Sequence, residues 1–326
     1  MVVSSRVRLA RNLRVFAFPR RASEQDQRRI IETVSACCPH GETTSGMTLF
    51  HTGHLSELQR QMLVERHLVS PALVKSRGES GVLVAPDEMR SVMVSEEDHL
   101  RIQVILSGFQ AHEAWWTVRR LERELAEELE YAFSEKWGYL TACPTNTGTG
   151  LRASVLIHLP GLVLTQEMEG VTRGITQMGF AVRGLYGEGT DAAGHFFQVS
   201  NQITLGPSEG ELLELLEKVV GQLMACEQNA RETLMREARS KVEDKAWRAC
   251  GLLRHARLLA SQEFMNLSSA VRLGVALGFL QDVEVRALNE LMVETQPAHL
   301  QYRVKRGLEP LERDLIRADM VRERMA

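Results

Sequence analysis

Lysine is scarce in this sequence: 6 Lys stand against 33 Arg among 326 residues. Long apolar runs are missing as well. The longest, Leu273–Leu280, is far short of the roughly 20 residues a membrane span needs. The opening Met1-Val2-Val3-Ser4-Ser5-Arg6 has no apolar signal-peptide core. Neither a secreted nor a membrane protein is expected. Cysteines are few and odd in number (Cys37, Cys38, Cys143, Cys226 and Cys250), and none form a C-x-x-C pair. A disulfide framework and a zinc knuckle are both excluded, so we expect a reducing cytoplasm and no protein-bound metal. Net charge is only -3, which does not mark a direct nucleic-acid binder. Absent too are the P-loop G-x-x-x-x-G-K-[ST], the protein-kinase H-R-D and D-F-G, H-E-x-x-H and G-x-S-x-G.

What is present is an ordinary globular balance, 44% apolar and 25% charged, with length enough for about two domains. Residues 1–205 mix two signals. Strand-like stretches are Val2–Leu9, Val92–Leu106, Val155–Leu164 and Ala181–Leu185; helical stretches are His54–Arg66 and Gln110–Phe133. This texture predicts an α+β fold. Ser208-x-x-Glu211 after Pro207 is a capping-box pattern. Beyond it the sequence reads as nearly all helix: a long charged helix over Glu227–Trp247, then Leu252–Ala260, Ser268–Leu280, Val283–Glu294 and Glu309–Met325, with Gln296-Pro297 as punctuation. We therefore expect an α+β domain over 1–228 and an all-α domain over 229–326.

Four segments carry chemistry. In Ser4-Ser5-Arg6-Val7-Arg8-Leu9-Ala10-Arg11, strand alternation sets Arg6 and Arg8 side by side. Two guanidinium groups so placed either hold an anion or form a solvated basic edge. In Ser95-Glu96-Glu97-Asp98-His99-Leu100-Arg101, an extended chain would put Glu97, His99 and Arg101 on one face; an acidic turn is the alternative. Cys143-Pro144-Thr145-Asn146-Thr147-Gly148-Thr149-Gly150-Leu151-Arg152 is rich in small residues that let backbone approach a ligand. Val182-Arg183-Gly184-Leu185-Tyr186-Gly187-Glu188-Gly189 sets a glutamate among glycines after a strand, as a closing loop or a plain hairpin.

Taken together, S-S-R-V-R, E-E-D-H-L-R, C-P-T-N-x-G-T-G-x-R-A-S-V and R-G-x-x-G-E resemble the ATP:guanido phosphotransferases, the family of creatine kinase and arginine kinase. The match extends over about 200 residues. The added helical sequence, and the run Arg313-Asp314-Leu315-Ile316-Arg317-Ala318 with its R-D-x-x-R-A pattern, are similar to the bacterial McsB-type branch, which phosphorylates arginines in proteins. Small-metabolite members carry a helical domain before S-S-R-V-R, whereas this sequence starts almost at the motif.

The resemblance implies an antiparallel sheet flanked by helices, ATP with Mg2+, and a kinase whose acceptor is a protein arginine. It places Arg6, Arg8, Arg101, Arg152 and Arg183 on phosphate, with His67 near the adenine and Arg11 as a further phosphate candidate. Glu97 would be base and clamp, Glu188 would grip the other edge of the guanidinium, and Cys143 would add negative charge beside it. His99 is expected to be structural. Arg313, Asp314 and Arg317 would bind phosphoarginine and couple it to activity. The implied setting is a cytoplasmic stress response, with marked proteins passed to a Clp-type protease system. Implied partners are protein substrates with exposed arginines, a small zinc-binding activator, a heat-shock repressor and a second copy of the chain in a homodimer or higher oligomer. Two departures stand out: Ser95 where the family usually has Asn, and Leu156 where small-molecule kinases carry His. Two other functions fit these residues, a kinase of a free guanidino metabolite and a phosphoarginine-binding adaptor with an impaired kinase fold.

Overall fold

The computed structural model describes residues 1–37, 41–76, 78–185 and 193–326. Alternation begins at once. Ser5, Val7 and Leu9 are buried while Arg6 and Arg8 are half-buried, so strand β1 (Val2–Arg11) has one apolar and one polar face. Chain order continues with α1 (Glu24–Cys37), β2 (Thr48–His51), α2 (Glu57–Glu65), α3 (Pro71–Lys75), β3 (Gly81–Val84), β4 (Arg90–Val94), β5 (Leu100–Ser107) and α4 (Ala111–Ala126). A small hairpin, β6 (Phe133–Ser134) and β7 (Gly138–Tyr139), precedes β8 (Leu151–His158), α5 (Pro160–Leu164), α6 (Met168–Gln177), β9 (Phe180–Gly184) and β10 (Phe196–Asn201). The rest is helical: α7 (Glu209–Glu237), α8 (Arg239–His255), α9 (Ser261–Ala276), α10 (Val285–Glu294), α11 (Pro297–Val304) and α12 (Pro310–Met325).

Eight strands form one antiparallel sheet in the order β2-β3-β4-β5-β1-β8-β10-β9. The expected α+β architecture is therefore present. One sheet face presents Val7, Leu9, Ile102, Val104, Ala153 and Val155 to α1, α4 and α7 in the main core. Truncating a fully buried member such as Leu121 costs about 2–5 kcal/mol. The other face is covered at its two ends. Around β3 and β4, Val82, Val84 and Met93 pack with Leu68, Val69 and Leu73 of the α2–α3 region. Around β10, Phe196 enters the core of the C-terminal helices with Phe264, Val271 and Leu288. Leu156 packs against this second core, which explains an apolar residue there. A strip of the sheet lies between the two covers, and β1 crosses it.

Several boundaries differ from the sequence reading. Val92–Leu106 divides into β4 and β5 because the chain reverses at Ser95 (φ +61°), whose amide donates to His99 O at 2.9 Å. Val155–Leu164 stops being strand at His158; Pro160 opens α5, and the amides of Gly161 and Leu162 donate to the buried Glu227 carboxylate at 2.9 and 3.0 Å. The helix read over Gln110–Phe133 ends at Ala126. The capping box at Ser208 and Glu211 is formed. Helix α7 runs unbroken past residues 228 and 229 and gives way to α8 at Ala238, where φ is -141°. Gln296-Pro297, read as punctuation, begins α11, because proline at the first helical position loses no hydrogen bond. Among the described residues no helix is long and apolar enough to cross a membrane.

Candidate active site

Parity along β1 decides which arginines meet. Arg6 and Arg8 lie on the polar face. In β8, Arg152 stands opposite Arg8 and Ser154 opposite Arg6. In β5, Gln103 pairs with Arg8 and Arg101 with Ala10, so Arg101 joins the same face. Arg183 of β9 faces Gln198 of β10, and Gln198 Oε1 accepts from Arg6 Nη2 at 3.1 Å. Four strands thus bring the five candidate arginines to one patch. Arg11 has the opposite parity and does not join them. It is buried in the helical layer, donating to Glu122 at 2.9 Å and stacking 3.4 Å over the Tyr139 ring. It is a structural residue, and counting parity would have excluded it from the phosphate candidates.

The patch is short of negative charge. Burial, then Arg101 and Arg152, pushes the Arg6 pKa down to about 10. Burial, then Arg6, Arg101 and Arg152, pushes Arg8 well below the ordinary guanidinium range, and Glu96 opposes this. Burial, then Arg183 and Arg101, lowers Arg152. Among the described residues, Arg8 Nε is buried with no hydrogen-bond partner. Like charges held together in this way fit a bound polyanion, whose oxygens would supply the absent acceptors.

Arg101 is the exception. Glu96 takes it in a two-pronged pair, at 2.9 Å to Nη1 and 2.6 Å to Nη2, while Glu97 Oε2 lies 3.3 Å from Nη2. The Ser70 hydroxyl also bonds to Glu96. The acidic run therefore holds a cation, and that cation is Arg101. His99 does not share the Glu97 face, because the reversal at Ser95 turns it inward. Its Nδ1 accepts from Leu13 N at 3.0 Å and its Nε2 lies 2.9 Å from Ala17 O, the structural role expected of it. Asp98 also turns inward. Its Oδ1 accepts from Asn12 Nδ2 and from Ala142 N, each at 2.6 Å. That second bond ties the Glu97 turn to the residue before Cys143.

Cys143 leads a short turn over Pro144–Asn146, its sulfur 3.0 Å from Thr145 Oγ1. The Thr204 hydroxyl reaches the carbonyls of Thr145 and Thr147 at 2.9 and 2.8 Å and anchors the turn. Asn146 then bridges the charges: its Nδ2 donates to Glu97 Oε2 at 3.4 Å, and its Oδ1 accepts from Arg152 Nη2 at 3.5 Å. Arg8, Glu97, Arg101, Cys143, Asn146 and Arg152 line one cavity of about 280 Å³. Asn146, Glu96 and Asp98 were visible in the motifs, but nothing in the sequence assigned them these contacts.

His67 is not among the residues lining this cavity; it is exposed, in the left-handed region (φ +59°), and its carbonyl accepts from Gln103 Nε2 at 2.8 Å. Partial desolvation beside the sheet, then the Arg6 guanidinium, pushes its pKa down to about 4. Glu188 lies outside the described residues. Arg313, Asp314 and Arg317 sit in the first half of α12, part of the C-terminal helical region. Arg317 is buried and bonded to its own chain, at Thr295 O (3.1 Å), Leu259 O (2.8 Å) and Asp314 Oδ1 (2.6 Å). Among the described residues the Arg313 side chain has no bonding partner.

Comparison with known proteins covers both parts of the chain. Residues 29–230 match the ATP:guanido phosphotransferase C-terminal catalytic domain, and residues 239–326 match the protein-arginine kinase McsB C-terminal domain. The chain belongs to the ATP:guanido phosphotransferase family. It is an enzyme of that ATP-dependent class. It is 47% identical to the protein-arginine kinase of Pelotomaculum thermopropionicum, over 100% of this chain and 92% of that one. It is also 47% identical to the protein-arginine kinase of Symbiobacterium thermophilum, over 100% and 93%. Among solved structures it resembles lombricine kinase (TM-score 0.63, 25% identity, 70% of this chain and 66% of that one). The duplicated taurocyamine kinase of Schistosoma mansoni shares the fold (TM-score 0.65, 22% identity, 81% and 38%). The S-S-R-V-R segment precedes residue 29 and lies outside that family match, whereas the relatives matched over 100% of this chain include it.

Proposed function

We propose that the protein transfers the γ-phosphoryl group of ATP to the guanidinium of arginine residues in proteins. The observation that carries this is a cluster of arginines, one with a buried nitrogen that has no partner among the described residues, with three of them beside a carboxylate and a thiol in one cavity. Phosphoryl transfer asks a protein chiefly for positioning and charge stabilisation. Arg6, Arg8, Arg152 and Arg183 would hold phosphate oxygens through planar forks. Arg101, already gripped by Glu96, would serve as a fixed donor at the reacting phosphoryl. Mg2+, when bound through phosphate oxygens and water, neutralises phosphate charge. His67 would border the nucleotide on the Arg6 side.

The acceptor guanidinium is cationic with a pKa above about 12. Glu97 would orient it and take its proton, with Asn146 steering the carboxylate. Cys143 and Glu188 would complete the grip on the other edges. A serine hydroxyl carries no cation for these groups to hold, so they favour arginine.

The C-terminal helices, taken as a domain from residue 229, would sense phosphoarginine. Arg313 would supply the free fork there, and the Asp314–Arg317 pair would frame it. Allosteric control, self-association into a dimer, a zinc-binding activator, a heat-shock repressor, Clp-type proteolysis of marked proteins and a cytoplasmic stress role extend this reading through the McsB-type resemblance.

The test is direct. The chain is incubated with Mg-ATP and either an arginine-rich unfolded protein or free arginine, and phosphate is located by mass spectrometry without acid. Phosphate on protein arginines is expected. Phosphate on free arginine would point to a metabolite kinase. No transfer, even with an activator present, would point to an adaptor.

A further inference from the structure

Glu65 ends α2 and reaches across to the C-terminal helices. Its carboxylate accepts from Ala298 N at 2.9 and 3.1 Å, from His299 N at 3.2 Å and from His299 Nδ1 at 2.8 Å. These are the opening amides of α11, so a side chain of one matched region caps a helix of the other. The contact is nearly dry, with side-chain exposures of 6% for Glu65 and 9% for His299. Arg66 Nε donates to His299 Nε2 at 3.1 Å. A guanidinium can only donate, so Nε2 carries no proton. The ring proton is on Nδ1 and goes to Glu65. Glu65, His299 and Arg66 thus form a chain of bonds with one consistent direction.

His67 follows immediately. Its amide donates to Val64 O at 2.9 Å, and the Leu68 amide donates to Leu63 O at 3.0 Å. This is the Schellman end of α2, and His67 occupies the left-handed position that glycine usually fills. A side chain there persists only where its surroundings hold it. Gln103 holds the carbonyl, and the Glu65 clamp holds the helix end that leads into the turn. On its far side the start of α11 is held too, because Arg317 Nε donates to Thr295 O. Neither the five arginines nor the acceptor residues require any of this, so the clamp stands apart from the groups that would touch substrate.

We propose that Glu65 is a positioning residue for nucleotide binding: by clamping the start of α11 it fixes the strained turn that sets His67 against Gln103, the residue paired with Arg8 of the cluster. The inference rests on the reading of that cluster as the nucleotide-phosphate site with His67 beside it. The C-terminal helices then help to shape the nucleotide site without touching the nucleotide.

A double-mutant cycle on the full chain tests it. Mg-ADP affinity is measured by calorimetry for the wild type, Glu65→Ala, His67→Ala and the pair. Glu65→Gln is included because its amide oxygen still accepts from the α11 amides. Glu65→Ala is expected to weaken Mg-ADP about fivefold or more, with a higher KM for ATP and little change in kcat. Glu65→Gln should recover part of that loss. In the His67→Ala background the Glu65 effect should vanish. An equal loss in both backgrounds, or none in either, overturns the proposal while leaving the phosphate site standing. If His67→Ala alone leaves Mg-ADP affinity unchanged, the placement of His67 beside the nucleotide fails, and the role given to Glu65 falls with it.

Discussion

Arg8 and Arg152 stand directly opposite one another in neighbouring strands. Like charges so placed oppose sheet formation, by roughly 0.2–1 kcal/mol per pair. On the proposed reading, a bound phosphate is what offsets this cost. Replacing Arg152 with Met is expected to leave the melting temperature unchanged or raised, while kcat/KM for ATP falls by about 10²-fold or more. ATP should also raise the melting temperature of the wild type far more than that of the variant. Thermal denaturation with and without Mg-ATP reads both effects. A variant that melts earlier and binds ATP normally would make Arg152 a structural residue.

Glu97 can be separated from the phosphate site. Glu97→Gln keeps the shape and the contact to Asn146 but removes the base and the charge. Transfer should fall by about 10²–10⁴-fold, with nucleotide affinity nearly intact, because Glu96 still holds Arg101. Parallel loss of transfer and of Mg-ADP affinity in calorimetry would refute the assigned role.

The turn after Cys143 depends on a glycine. Gly148 has φ +110°, and a Cβ there would lie 2.2 Å from Thr204 O. Gly148→Ala is expected to destabilise the fold by about 1–3 kcal/mol and to reduce transfer further by shifting the turn that carries Asn146. Urea unfolding together with an activity assay measures the two losses. A stable, active Gly148→Ala would show that the turn tolerates displacement.

One buried and one half-buried histidine predict acid sensitivity. His158 Nε2 lies 2.8 Å from Ser269 Oγ, which lies 3.0 Å from His195 Nδ1. Burial, then Arg272, holds the His158 pKa well below the ordinary 6.5; burial, then Lys245, lowers His195 to about 4. Both are neutral in the folded chain, whereas the unfolded chain takes up protons below 6.5. Stability is therefore full above that pH and falls as pH drops toward 4, where the His195 contribution levels off. His195→Gln should shallow the decline of melting temperature across this window. An unchanged slope would mean that His195 does not contribute.

Within α12, the two arginines of the motif should part company. Arg317→Ala strips bonds from Thr295 O and Leu259 O and should lower stability by about 1–3 kcal/mol. Arg313→Ala should leave the melting temperature alone and abolish any effect of added phosphoarginine on activity. If Arg313→Ala retained the full effect, the sensor would have to lie elsewhere.

Much of this was legible from residue order. Period-two alternation in Val2–Leu9 marked a strand with arginines on one side, and Ser208 with Glu211 marked the start of α7, because such patterns depend on near neighbours alone. The four motifs named the family for the same reason: each is a short run whose chemistry survives any packing. Element ends were less legible. Ser95 reverses the chain by taking up a left-handed conformation that its residue type does not announce, and Pro160 starts a helix whose first amides meet Glu227, far along the sequence.

The sequence by itself determined the class of fold, through local spacing, and the resemblance of its motifs pointed to the family and to the five candidate arginines. Tertiary structure alone decided that Arg8 faces Arg152, that Arg11 turns away to Glu122, that Asp98 ties the Glu97 turn to Cys143, and that Glu65 caps α11. Each of these joins residues dozens to hundreds of positions apart. Strand register and helix packing, which no local pattern encodes, bring them within hydrogen-bonding distance.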